Sequence, residues 1–137
     1  MPMRLTHVTQ WVHDQDEALT FYKEKLGMEV REDATLEELV GFRWLAVGPP
    51  DQPDVAVALL KVPGPPVFDE ETTAKLNDLV AKGAAGGLFF ATEDLQAVYA
   101  ELKSSGVEIV QEPTEQPYGT DMAVRDPTGN EIRLAQR

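Results

Sequence analysis

The pattern of apolar and polar positions along the chain occurs twice. Residues 5–12 alternate in polarity, which is typical of a strand with one buried face. Apolar residues then recur at helical spacing from Ala18 to Leu26, and Gly27 ends that helix pattern. The same order of elements returns in the second half, where Gly106 ends the corresponding helix. The chain therefore reads as two copies of one structural unit.

Each copy predicts the order βαβββ. In the first copy, strands are predicted over residues 5–12, 28–31, 42–47 and 55–62. In the second copy, they are predicted over residues 87–91, 107–111, 121–125 and 131–135, and a linker helix over residues 70–82 joins the copies. We predict that residues 32–40 form an acidic, solvated loop. The alternative is that this segment acts as a lid.

The predicted fold class is α+β, with two tandem βαβββ modules that form paired curved mixed sheets around a cleft. A four-stranded half covers one face with its own helix and is only marginally stable alone. We therefore expect one domain over residues 1–137, with module one at 4–62, a helical linker at 63–86 and module two at 87–137.

Composition narrows the classes of partner. The chain has 137 residues, no cysteine and a formal net charge of −12. Such an acidic protein is not expected to bind nucleic acid or an anionic membrane. We interpret the acidic charge as a contribution to solubility. The alternative is that the acidic surface attracts cationic ligands. The N-terminal residues lack the apolar segment of a signal peptide, so we expect a cytoplasmic protein.

Two short motifs resemble a known family. Phe21-Tyr22 is followed by Leu26-Gly27, and residues 126–130 read Asp-Pro-Thr-Gly-Asn before the last strand. In this order and spacing they resemble the glyoxalase/bleomycin-resistance/extradiol-dioxygenase superfamily, the vicinal oxygen chelate (VOC) fold. The resemblance implies the paired-module fold and a homodimer, and it leaves the chemistry open.

The resemblance also implies positions for a divalent metal ion, on the first and last strands of each module. In this chain they are occupied by His7, Leu59, Gly87 and Arg133. Leu59 and Gly87 offer no donor and Arg133 carries a fixed positive charge, whereas a catalytic metal normally has about three protein ligands. We therefore predict no cofactor. A rearranged divalent metal site using His7 and Glu131 is the alternative, and a salt bridge between Glu131 and Arg133 is expected instead.

Strand parity predicts which side chains face the cleft and form a ligand-binding site. They are His7, Thr9, Trp11, Trp44, Val57, Leu59, Phe89, Glu131 and Arg133. Aromatic faces suit a planar or cationic group, whereas Arg133 suits a carboxylate or phosphate. The aromatic side chains have a second interpretation, which is that they fill space between the sheets. His7 is a candidate catalytic base or, alternatively, a hydrogen-bonded core residue.

These observations predict a metal-independent protein that binds a small organic molecule. One alternative is a metal-dependent glyoxalase-I-like lyase or extradiol-type dioxygenase that uses His7 and a rearranged ligand set. The other is a metal-free isomerase or epimerase, with His7 as the base and Arg133 stabilising an enolate.

Overall fold

The computed structural model describes residues 2–137, so Met1 of the predicted domain lies outside the described residues. The first half contains β1 (His7–Val12), α1 (Gln15–Thr20), β2 (Glu29–Leu36), β3 (Phe42–Gly48) and β4 (Ala56–Lys61). The second half contains α2 (Glu70–Ala81), β5 (Gly87–Thr92), α3 (Leu95–Ser104), β6 (Glu108–Gln116), β7 (Gly119–Arg125) and β8 (Glu131–Gln136). Helix α1 continues as a π-helical turn over Phe21–Lys25.

The strands form two four-stranded mixed sheets with the same topology. Their orders are β1-β4-β3-β2 and β5-β8-β7-β6, and in each sheet the first strand runs parallel to the last. The chain divides into two compact units, unit 1 ending at Phe68 and unit 2 beginning at Asp69. The predicted α+β fold of two βαβββ modules is confirmed. None of the helices described in residues 2–137 is long and apolar enough to cross a membrane.

In unit 1, one face of the sheet packs on α1 because the apolar residues of both elements share that side. Gln10 lies among them, and its Nε2 donates to the Tyr22 hydroxyl at 3.1 Å, so this buried amide has a partner. The fully buried residues of this core are Val12, Tyr22, Leu45, Val47 and Leu59. Asp14 caps the start of α1, because its carboxylate accepts from the Glu17 amide.

In unit 2, α3 covers one face of the second sheet in the corresponding way. Asp94 caps this helix by accepting from the Ala97 amide at 3.0 Å. The buried residues of this core include Leu95 and Leu102 on the helix and Met122, Val124 and Ile132 on the sheet.

The turn between β7 and β8 is held by one buried carboxylate. Asp126 Oδ1 accepts from the backbone amides of Thr128, Gly129 and Asn130, each at 2.9 Å. Gly129 has a φ of 120° and lies against the end of α2, so that a Cβ there would be 2.2 Å from the Ala81 carbonyl oxygen. The Asp-Pro-Thr-Gly-Asn motif therefore fixes both the turn and its contact with α2.

The prediction of a loop over residues 32–40 is wrong for most of that segment. Strand β2 continues to Leu36 because it pairs with β3 as far as the Leu36–Phe42 pair, beyond a β-bulge at Arg31. Its acidic residues are tolerated because β2 is an edge strand with polar side chains exposed to solvent. A 3₁₀ turn over Glu37–Leu39 follows. Strand β6 likewise extends beyond its predicted end at residue 111.

Candidate functional site

Each sheet has a second face, opposite its helix, which we call its open face. In unit 1 this face carries His7, Thr9 and Trp11 on β1, since Gln10 and Val12 face α1. Trp44 also lies on it, because its neighbour Leu45 is fully buried in the core. In unit 2, parity along β5 and β8 places Phe89, Glu131 and Arg133 on the open face, since Ile132 is buried beneath the sheet.

The face predicted for Val57 and Leu59 is wrong. Leu59 pairs with Gln10 and Val57 pairs with Val8, so both side chains point to the helix side, where Leu59 is fully buried. Residues 55–60 form a nearly continuous apolar run, whose parity cannot be read from alternation. Ala58 takes the open-face position on β4, and its methyl group likewise offers no metal ligand.

The open face of unit 1 holds a polar group that we call the His7 cluster: Thr6, His7, Glu32 and Trp44. His7 Nε2 lies 2.7 Å from Glu32 Oε1, and His7 Nδ1 lies 3.0 Å from Thr6 Oγ1. The rings of His7 and Trp44 meet edge to face with centroids 5.1 Å apart. The hydrogen bond from His7 is the main reason that the pKa of Glu32 is lowered. Desolvation acts in the opposite direction, and a hydrogen bond from Trp44 lowers the pKa further. The cluster therefore contains an ionised carboxylate that orients an imidazole.

Trp11 is half-buried at the other end of β1. Its ring lies edge to face with that of Phe68, with centroids 6.3 Å apart. The predicted aromatic lining is thus present on the unit 1 open face, where it includes a residue that the sequence analysis did not single out.

The open face of unit 2 contains a pocket of about 370 Å³. Its lining residues are Phe89, Phe90, Ala91, Tyr118, Asp121, Arg133, Leu134, Ala135 and Arg137. Phe89 is 80% exposed and Tyr118 is 71% exposed, so two aromatic side chains stand in solvent beside it. A concave, largely apolar site with a few polar groups is the usual form of a small-molecule site.

The polar wall of this pocket is an ion-pair network around Arg133. Its guanidinium donates from Nε and from Nη2 to Asp121 Oδ2, at 3.1 and 3.0 Å. Nη2 also donates to Gln111 Oε1 at 2.8 Å, and Nη1 contacts Glu131 Oε2 at 3.3 Å. The expected salt bridge between Glu131 and Arg133 is confirmed. The Arg133 side chain is therefore fixed by neighbours on three strands.

Asp121 is the acceptor at the centre of the network and is only 4% exposed. Burial alone would raise its pKa, but hydrogen bonds from Tyr118, Arg133 and Gln111, and the charge of Arg133, together lower that pKa below its ordinary value. The Tyr118 hydroxyl donates to Asp121 Oδ2 at 2.9 Å, and this bond is the main reason that the pKa of Tyr118 is raised. Asp121 is thus ionised and Tyr118 neutral over the physiological pH range.

Sequence reasoning identified Glu131 as a partner of Arg133 but missed two other acidic partners, Glu32 of His7 and Asp121 of Arg133. Glu32 was placed in the loop predicted over residues 32–40, although it belongs to β2. Asp121 lay in a correctly predicted strand, and an aspartate within a strand is a signal that could have identified it. Tyr118 lies in the turn before β7, where nothing in the pattern indicates its direction.

The residues at the metal positions implied by the fold do not fit a divalent cation. Among residues 2–137, no three His, Asp or Glu side chains are grouped as a metal site. Gly87 has no side chain, and a Cβ there would lie 2.7 Å from the Glu131 carbonyl oxygen. Arg133 places a positive charge at the last position, where a cation would be repelled. The donor set around His7 has one carboxylate, fewer ligands than a catalytic metal normally has.

Comparisons with known proteins agree with this geometry. The crystal structure of UcmS2 has 50% sequence identity to the chain and a TM-score of 0.90, with 100% of both chains covered. TnmS3, an antibiotic binding protein from Streptomyces sp. CB03234, has 28% identity and a TM-score of 0.75, over 98% of this chain and 96% of its own. The uncharacterized protein YurT of Bacillus subtilis (strain 168) is 32% identical over 135 residues, which cover 98% of this chain and 100% of YurT.

The family assignment follows from the extent of the match. The model of the Glyoxalase/Bleomycin resistance protein/Dioxygenase superfamily matches residues 4–134, which include the first sheet and all but the last two residues of the second. The predicted membership is confirmed, and the chain belongs to this superfamily.

Proposed function

We propose that the protein binds a small organic molecule, without covalent chemistry and without a metal, in the pocket on the open face of unit 2. The observation that carries the proposal is the combination of a pocket of about 370 Å³ with the exposed ring of Phe89 and the fixed Arg133–Asp121 wall. A rigid polar wall orients a ligand, while an exposed aromatic face supplies contact area.

The exposure of Phe89 requires an explanation, because its aromatic side chain is more exposed than those of Tyr118 and Phe42. Its side chain lies on a regular strand, so it is held at a defined position while 80% of its surface contacts water. Burying a phenylalanine side chain stabilises a complex by about 1.5–3 kcal/mol. A flat ligand placed on one face of this ring would gain part of that free energy without any rearrangement of the strand.

The comparisons support the same class of function. TnmS3, which shares this fold at 28% identity, is named an antibiotic binding protein. The pocket of about 370 Å³ falls within the range of about 300–1,000 Å³ that small-molecule sites commonly measure. We therefore include antibiotics among the ligand classes to be tested.

The test is calorimetric titration with a panel of flat aromatic molecules and antibiotics, repeated with Phe89→Ala. Loss of the ring should weaken the best ligand about 10- to 100-fold, the equivalent of roughly 1.4–2.8 kcal/mol. Phe42→Ala is the matched control, because Phe42 is also an exposed aromatic on a strand but does not line the pocket. Unchanged affinity in Phe89→Ala, or no ligand in the whole panel, would contradict the proposal.

Two further measurements separate the competing roles. Elemental analysis of protein purified without chelators tests metal independence, and near-stoichiometric zinc, nickel, iron or manganese would contradict it. Sedimentation over a range of concentrations tests whether Phe89 is instead buried against a second copy of the chain. In that case Phe89→Ala would shift the balance between monomer and dimer, whereas a ligand-binding role leaves that balance unchanged.

A second candidate function is metal-free acid–base catalysis at the His7 cluster. The observation that favours it is the 2.7 Å contact between His7 and Glu32, the arrangement in which a carboxylate orients an imidazole as a base. The role proposed for Arg133 in stabilising an enolate is less favourable, because Asp121 and Glu131 already neutralise its charge. Ligand binding therefore remains the function that the geometry supports best.

A further inference from the structure

We propose that Asp121 sets the charge specificity of the unit 2 pocket, so that the pocket takes an uncharged aromatic ligand in preference to an aromatic carboxylate. This inference rests on the proposed function, because it concerns the ligand of the same pocket. It also replaces the role expected for Arg133 from sequence, which was to bind a carboxylate or phosphate.

The hydrogen-bond donors of Arg133 are nearly all occupied. A guanidinium has five N–H donors. The Nε donor and the Nη2 donors bind Asp121 and Gln111, and one Nη1 donor contacts Glu131. One Nη1 donor is left, so the bidentate geometry through which arginine recognises a carboxylate is unavailable.

The charge of Arg133 is compensated as well. Asp121 and Glu131 each place a carboxylate oxygen within 3.3 Å of the guanidinium. An anionic ligand would approach these carboxylates and be repelled by them. Arg137 also lines the pocket, but it is exposed, and an exposed ion pair contributes only about 0–1 kcal/mol.

Tyr118 adds a preference for a ligand that donates a hydrogen bond. Its hydroxyl hydrogen is used in the bond to Asp121, so only the oxygen lone pairs remain available to a ligand. A flat ring with an O–H or N–H group would contact Phe89 and donate to this oxygen. A carboxylate has no hydrogen to donate and would face the oxygen lone pairs directly.

The experiment compares naphthamide with naphthoate, which have nearly the same shape and differ in charge and in hydrogen-bond donors. We expect the wild-type protein to bind naphthamide at least about tenfold more tightly, because naphthamide gains about one hydrogen bond and avoids the repulsion from Asp121 and Glu131. Asp121→Asn removes the charge that compensates Arg133 and keeps the side-chain shape. It should strengthen naphthoate binding about 10- to 100-fold and leave naphthamide within about threefold.

The matched control is Asp33→Asn in unit 1. Asp33 forms the same kind of ion pair, with Arg43 Nε at 2.9 Å, and its loss changes the net charge by the same amount. This variant should bind both probes like the wild type. A double variant, Asp121→Asn with Arg133→Gln, should lose the gain in naphthoate binding, because the positive charge that Asp121 no longer compensates is removed.

The possible outcomes separate the two proposals. If neither probe binds wild-type protein, this inference fails, whereas the proposed function fails only if the whole ligand panel also gives no binding. If naphthoate binds the wild type as tightly as naphthamide or more tightly, only the charge specificity is overturned, and this comparison needs no variant to fold. If naphthamide is preferred but Asp121→Asn does not strengthen naphthoate binding, the assignment to Asp121 is overturned.

Discussion

Replacing Gly129 with alanine tests whether the contact between α2 and the turn before β8 holds unit 2 together. Gly129 combines a φ of 120° with a contact so close that a Cβ would lie 2.2 Å from the oxygen and 2.7 Å from the carbon of the Ala81 carbonyl group. These atoms belong to the backbone and cannot move aside like the end of a flexible side chain. The turn also leads directly into β8, which carries Glu131 and Arg133 of the pocket wall.

The expected loss has two contributions. A positive φ costs an L-residue about 1–2 kcal/mol. Forcing extra volume into a packed contact typically costs a further 1–3 kcal/mol, because backbone or side chains must shift. We therefore expect Gly129→Ala to lower the free energy of unfolding by about 2–5 kcal/mol, a large share of the stability of an ordinary domain.

Gly106→Ala is the control that isolates the steric part. Gly106 has a φ of 85° at the end of α3, yet a Cβ there would meet no atom within 4 Å. It should therefore lose only the backbone contribution of about 1–2 kcal/mol. Urea unfolding followed by far-UV circular dichroism measures both variants. Tryptophan fluorescence is unsuitable because Trp11 and Trp44 both lie in unit 1, whereas both glycines lie in unit 2.

Equal losses in the two variants would refute the steric argument, because the close approach of Gly129 to Ala81 would then cost nothing. A larger loss in Gly106→Ala would refute it more strongly. A larger loss in Gly129→Ala would support the argument that the Asp-Pro-Thr-Gly-Asn motif joins α2 to the sheet of unit 2.

Two further predictions concern the polar groups of the open faces. If the His7 cluster performs acid–base catalysis, His7→Ala should abolish turnover in an isomerase or epimerase assay while the melting temperature is retained. Full activity in that variant would exclude this function. Acidification should weaken the Asp121–Arg133 pair. The pKa of Asp121 is lower in the folded state than its ordinary value of 3.8, so the ionised carboxylate stabilises the folded protein at pH values above 3.8. This stabilisation is lost as the pH falls through the lowered pKa. The difference in unfolding free energy between wild type and Asp121→Asn should therefore shrink between about pH 6 and about pH 3, and a constant or growing difference would contradict it.

The helix-bearing faces were predictable because local patterns determine them. The spacing of Ala18, Phe21 and Tyr22 indicated a buried stripe, and all three residues are buried against the sheet. Asp69 and Asp94 precede α2 and α3, and each carboxylate accepts from a backbone amide in the first turn of its helix, which is the local preference of aspartate at a helix start. These features depend on residues a few positions apart, so sequence spacing carries the information.

The hydrogen-bonded side-chain pairs on the open faces could not be predicted from local sequence spacing. His7 and Glu32 are 25 positions apart, and Asp121 and Arg133 are 12 positions apart, so each pair exists only once the strands are in register. A shift of one residue in register moves a side chain to the other face of a sheet. The wrong face predicted for Leu59 is an example, because a uniformly apolar strand gives no indication of its parity.

The open face of each unit holds a nitrogen-bearing side chain that is hydrogen-bonded to carboxylate groups. Unit 1 places an imidazole beside a carboxylate, and unit 2 places a guanidinium beside two carboxylates. In both, the basic group lies at a position where the fold implies a metal ligand, yet it is already held by an acidic neighbour. A free metal ion would have to break those pairs, and an anionic ligand would have to compete with them. An uncharged molecule has neither obstacle, since it gains contact with the aromatic residues beside each pair and leaves the pairs intact. This is the physical reason to look for the ligand among uncharged aromatic compounds.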